Sequence, residues 1–124
     1  MRLSILLLLF LTACNSVPSK FDSTLYGQLV NLSVDVNDSL PLCGNTFTET
    51  NASALKREAD FLLKYSEYTS KDTHNSLSIL NKNITEMDTM YKAGKPSAEY
   101  CTLKLKIVDA ELQELLKGLG GKFS

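Results

Sequence analysis

The sequence predicts an all-α fold: a small up-down four-helix bundle stapled by one disulfide. Three observations lead there. Three stretches between residues 51 and 117 repeat apolar residues at steps of three and four, the period of an amphipathic helix. Glycine and proline fall between the last two of them, where helix ends are expected. In an up-down bundle, the end of the first helix and the start of the fourth share a pole, which brings Cys43 and Cys101 together without further assumption.

The chain begins with Met1-Arg2, a minimal positive region, followed by the apolar run LSILLLLFL from Leu3 to Leu11. That run is too short to span a bilayer, which takes about 20 residues, and it reads as an export signal. An ordinary secretory cleavage site has small residues one and three positions before the cut; Ala13 is small but Leu11 is not. The cut that fits lies directly before Cys14.

Leu11-Thr12-Ala13-Cys14 resembles the lipobox of bacterial or phage-encoded lipoproteins, with the apolar run, small residues and cysteine in register. The resemblance covers only the first 14 residues, and the remainder is matched to no family. It implies that residues 1–13 are a signal peptide and that Cys14 becomes a lipidated, palmitate-bearing N-terminus. In the enteric lipoproteins an aspartate directly after that cysteine favours inner-membrane retention. Asn15 and Ser16 stand here instead, which points to the outer membrane, facing the periplasm.

Cysteine parity agrees. Three cysteines in an exported chain leave one over; with Cys14 lipidated, Cys43 and Cys101 remain as a pair in an oxidising compartment, where a disulfide persists. The competing reading is a eukaryotic secreted protein with a free thiol, for which the Asn-x-Ser/Thr triplets at Asn31, Asn37, Asn51 and Asn83 would serve as glycosylation acceptors. In a chain this rich in Asn, Ser and Thr, such triplets also arise by chance.

Residues 14–20 form a polar tether containing Pro18, and NSVPSK reaches about 20 Å when extended. Residues 21–124 are expected to be a single helical domain, since a chain of this size supports one modest core.

The first segment of that domain is ambiguous. Phe21, Leu25, Leu29, Leu32, Val36 and Leu40 make a helical stripe, yet VNLSVDVN, residues 30–37, alternates apolar and polar residues as a half-buried strand does. Partnership favours the helix. No other stretch alternates, and a lone strand would leave its backbone groups unpaired.

The second segment runs from Asn51, as N-cap, to about Thr69, with Ala52, Leu55, Ala59 and Leu62 on its apolar face. The third runs from Asp72 to about Ala93 with Leu77, Leu80, Ile84, Met87 and Tyr91, and stops at Gly94 and Pro96. The fourth runs from Ser97 to Lys117 with Cys101, Leu105, Val108, Leu112 and Leu115, ended by Gly118 and Gly120.

Charge excludes one class of function. Without Arg2, 12 basic residues face 14 acidic ones, a net charge of −2, and no basic block is present to attract nucleic acid. Catalytic motifs are also missing, so no enzyme activity and no cofactor are expected. His74 is the sole histidine, and no Gly-x-Ser-x-Gly elbow or metal-ligand spacing accompanies it. AGKPS, residues 93–97, resembles the end of a phosphate-binding loop, but Thr89 stands where its first glycine should be; a turn between helices is expected.

One feature goes beyond a plain bundle. Tyr100, Leu103, Ile107 and Ala110 form a second apolar stripe on the fourth helix, roughly opposite the first, and Ile79 and Met90 point away from the stripe of the third. Either the fourth helix is central and wraps more of the core, or Tyr100, Leu103 and Ile107 form a docking face for an envelope protein or a second copy. The expected function is thus a membrane-anchored interaction or assembly module of the cell envelope: an accessory of an envelope machine, an exclusion protein or a lysis partner. The alternative is a small-ligand carrier or enzyme with a pocket between helices, near Tyr65, Tyr68 and His74.

Overall fold

The structure, a computed structural model, describes residues 22–120. The expected signal peptide (1–13) and tether (14–20), with Cys14, Phe21 and Gly121, lie outside the described residues. Four helices follow one another: α1 at Ser23–Ser39, α2 at Glu49–Tyr65, α3 at Lys71–Ala93 and α4 at Ala98–Gly120. Short 3₁₀ turns at Leu40–Leu42 and Ser66–Tyr68 extend α1 and α2, and no strand occurs among the described residues. Each helix packs on two neighbours in a closed ring, α2 on α3 and α1 on α4 most extensively. Short connections make consecutive neighbours antiparallel. The ends of α1 and α3 and the starts of α2 and α4 therefore share one pole, here the disulfide pole. The start of α1 marks the opposite, N-terminal pole.

The ambiguous segment is helical, and burial shows why. A strand would have buried Val30, Leu32, Val34 and Val36 together, whereas α1 buries Leu32 and Val36 and leaves Val30 and Val34 37% and 51% exposed. Leu25, Leu29, Leu32 and Val36 form the seam. The Asp22 carboxylate caps the helix, accepting from the backbone N–H groups of Thr24 and Leu25 at 3.0 and 3.1 Å. Side-chain amides tie α1 to α4: Asn37 Nδ2 donates to Asp109 at 3.0 Å, and Gln113 Nε2 to the Ser33 hydroxyl at 3.1 Å.

Two boundaries differ from expectation. Asn51 is not the N-cap of α2; Thr48 is, and Asn51 sits three residues inside, where its Oδ1 accepts from the Thr48 N–H at 2.8 Å and hydroxyl at 3.1 Å. Apolar periodicity starts at Ala52, but the preceding turn carries exposed residues, to which periodicity is blind. Gly118 does not end α4, which continues to Gly120. One helical glycine costs only about 1 kcal/mol, and the turn around it is held where Leu119 packs on the core and Gly120 lies against the Tyr26 ring. Gly94 closes α3 where expected, at φ +155°, a conformation open essentially to glycine; at the helix starts Ser70 accepts from the Thr73 N–H and Ser97 from the Tyr100 N–H.

The disulfide pole is closed twice. Cys43, just past the 3₁₀ turn, bonds Cys101 in the first turn of α4, with Cα atoms 5.5 Å apart. Beside it Phe47, on the loop before α2, is fully buried, with its ring 5.0 Å from that of Tyr91. Gly44 lets the loop pass α4: its φ is +77°, and a Cβ there would lie 2.5 Å from the Ala98 Cβ.

Candidate functional site

The α3–α4 boundary is bridged on its outer side by polar contacts. Asn83 Nδ2 donates to Glu111 at 2.7 Å, and Lys104 Nζ meets Glu86 at 2.6 Å and Asn83 Oδ1 at 3.3 Å. Glu86 is held below the ordinary carboxylate range by its hydrogen bond with Lys104, then by that residue's charge. Burial pushes the Glu111 carboxyl up, against the Asn83 hydrogen bond and the Lys104 charge.

Helical spacing places Ile79, Met90 and Ile107 on the flanks that carry this bridge and Leu103 on the outer face of α4. Ile79 lies one turn before Asn83 and Met90 one turn after Glu86; Ile107 lies between Lys104 and Glu111, with Leu103 a turn before it. All four are open to solvent: Ile79 59%, Met90 45%, Leu103 60% and Ile107 39% exposed. The second stripe of α4 thus divides. Leu103, Ile107 and Ala110 face out, whereas Tyr100 is half-buried against the core. Among the described helices α4 packs on α1 and α3 alone, so it is not central to them.

At the N-terminal pole the same boundary opens into a cleft of about 480 Å³ between the start of α3 and the end of α4. Asp72, Ser76 and Ile79 line one wall and Glu111, Glu114 and Leu115 the other. It combines an apolar floor with carboxylates.

The polar groups beside it are occupied with holding the turn. Tyr65 donates its hydroxyl to Asp22 at 2.6 Å, joining the end of α2 to the start of α1; that bond holds the Asp22 carboxyl below its usual range and pushes the Tyr65 phenol up. Ser66 Oγ lies 2.7 Å from His74 Nδ1 and gives its own proton to the Leu63 carbonyl at 2.6 Å. The imidazole is therefore the donor. A nucleophilic pair needs the reverse, with the hydroxyl donating to the ring and open to a substrate, and Ser66 is fully buried. Tyr68, by contrast, is 84% exposed.

Two carboxylate sites escaped the sequence reading. Glu58 on α2 is pushed up to about 8 by burial first, then by its hydrogen bond with Asp35 on α1 and by that residue's charge. The two carboxylates face each other across the α1–α2 boundary. Asp88 is 2% exposed and is held by Lys92 at 2.9 Å and the Ser53 hydroxyl at 2.8 Å. Burial raises its pKa, but these partners outweigh it and the group lies below the usual range. The spacing of Asp88 and Lys92, one helical turn, was a readable signal for that pair; nothing local announced Asp35 and Glu58.

Among the described residues no group of three or more His, Cys, Asp or Glu side chains is placed to hold a metal ion. No helix among them is long and apolar enough to cross a membrane. The fold and surface define a disulfide-stapled antiparallel four-helix bundle with an apolar outer seam. Comparison with protein families, curated proteins and solved structures finds no match to this chain.

Proposed function

We propose that the protein is a lipid-anchored lipoprotein of the cell envelope whose bundle serves as an interaction or assembly module. One observation carries the second half of this reading: Ile79 and Met90 on α3 and Leu103 and Ile107 on α4 are all solvent-exposed, on two helices joined by the Lys104–Glu86 and Asn83–Glu111 bridges. Grouped exposed apolar side chains with a polar frame are the surface pattern of a protein contact. The first half is supported by the Leu11-Thr12-Ala13-Cys14 register and by the pairing of the other two cysteines.

The experiment is cross-linking of the intact protein in its own membrane, with identification of the captured species. Leu103→Asp and Ile107→Asp should abolish capture while the disulfide and helical content persist, because exposed substitutions of this kind stay within about 0.5 kcal/mol. Capture unchanged in both variants would refute the docking seam. Mass spectrometry should show a lipidated Cys14 at the mature N-terminus, and Cys14→Ser should leave the membrane fraction. An unmodified N-terminus overturns the anchor.

A second reading, a small-ligand carrier, is favoured by the cleft of about 480 Å³. A bound ligand would raise the melting temperature of the wild type, and Ser76→Trp, which fills the cleft, should remove that rise.

A further inference from the structure

We infer that the N-terminal pole is a membrane seat: the bundle stands on the lipid surface with Tyr68 and Phe61 in the headgroup region and its helices directed away from the bilayer. The inference rests on the lipid-anchor reading and adds an orientation to it.

The tether sets the geometry. Seven residues separate Cys14 from Asp22, the cap of α1, and the eight chain steps between them reach at most about 29 Å. A 23-residue helix such as α3 is about 35 Å long. With the lipid at Cys14, the N-terminal pole cannot leave the vicinity of the membrane, whereas the disulfide pole can lie well beyond it. Even a weak affinity of that pole for lipid is then expressed, because the tether keeps its effective concentration high.

Aromatic side chains are distributed unequally between the poles. At the disulfide pole they serve the interior: Phe47 is 0% and Tyr91 6% exposed. At the N-terminal pole Tyr68 is 84% and Phe61 52% exposed, and Phe61 stacks on Tyr65 with ring centroids 6.2 Å apart. Phe61 lies about 6 Å up α2 from Tyr65, within the depth of about 5–10 Å to which interfacial side chains enter a leaflet. Tyrosine and other aromatic rings are the residues that settle at headgroup level.

Charge selects the kind of surface. Lys64, Lys71 and Lys117 at this pole are balanced by Asp22, Glu67, Asp72 and Glu114, and Lys64 is already paired with Glu67 at 3.4 Å. Among the described residues this pole carries no net positive patch for anionic lipid, so the seat takes a zwitterionic headgroup layer and does not depend on salt.

The test uses the full lipidated protein in phosphatidylcholine vesicles with brominated acyl chains. The chain contains no tryptophan, so Tyr68→Trp and, at the disulfide pole, Asn45→Trp are each single reporters. The Tyr68→Trp indole should emit to the blue of its detergent spectrum and be quenched several-fold more than that of Asn45→Trp, equally at 0.1 and 0.5 M salt. In the unsubstituted protein, amide exchange over residues 61–71 should slow on vesicles relative to detergent, which excludes an effect of the new indole. Equal, weak quenching of both reporters in protein that still floats with the vesicles overturns the seat and leaves the anchor standing. Failure to float overturns both. Protection of 61–71 in the native membrane but not on pure lipid assigns the pole to a protein partner, and likewise overturns the lipid seat.

Discussion

Reduction of the Cys43–Cys101 bond is the most informative single perturbation, because the bond and the bundle topology follow from the same geometry. The bonded residues are 58 apart and enclose the whole α2–α3 hairpin. In the chain-entropy account, closing a loop of that length removes about 4 kcal/mol of freedom from the unfolded state. That is a large share of the roughly 5–15 kcal/mol available to a domain. For about 100 residues each kcal/mol moves the melting temperature by about 4–8 °C, so reduction should lower it by about 16–32 °C. The loss should be uneven. α1 lies outside the closed loop and has weak helix propensity in its Val, Ser, Asn and Asp residues, whereas the hairpin keeps its own contacts. Urea unfolding with and without reductant gives the total, and amide exchange gives the order: α1 should open first. The two serine variants should also differ. Cys101 is fully buried, so Cys101→Ser adds a core hydroxyl costing a further 1–3 kcal/mol or so, while Cys43 is only partly buried. Coincident urea midpoints for oxidised and reduced protein, or opening of the hairpin before α1, would refute the reasoning.

Glu58 makes stability depend on pH in a defined direction. Its folded pKa of about 8 stands above the ordinary 4.5, so the folded state holds the extra proton between those values. Its contribution is complete below about pH 4.5 and is lost as pH rises through 8. Because the group is partly solvated, the loss is discounted to about 1–2 kcal/mol. Glu58→Gln should flatten this fall in urea midpoints measured between pH 5 and 9; a wild-type midpoint that rises over that range would contradict the assignment. Gly44→Ala should cost at least about 2 kcal/mol, from the positive φ and the contact with Ala98 together, and a melting temperature within 2 °C or so of wild type would show that the loop relocates freely.

The amino-acid sequence by itself determined the helical stripes, the ring of four helices and the cysteine pair. Each follows from a repeating or topological constraint: a 3.6-residue period admits one buried face, and short connections admit few arrangements. Even α1, whose local pattern is that of a strand, was settled by the absence of a second strand to pair with. Tertiary structure decided what depends on which neighbour covers a given atom. Phe47 belongs to no stripe and is a core residue only because the loop folds over the pole. Tyr100 and Leu103 share one stripe in the sequence, yet one is half-buried and the other exposed. Asp35 and Glu58 are 23 positions apart, and the Glu58 carboxyl is pushed up only where α1 meets α2. Periodicity records which way a side chain points along its own helix, whereas burial and pKa depend on what stands opposite, and that is supplied by residues distant in the chain.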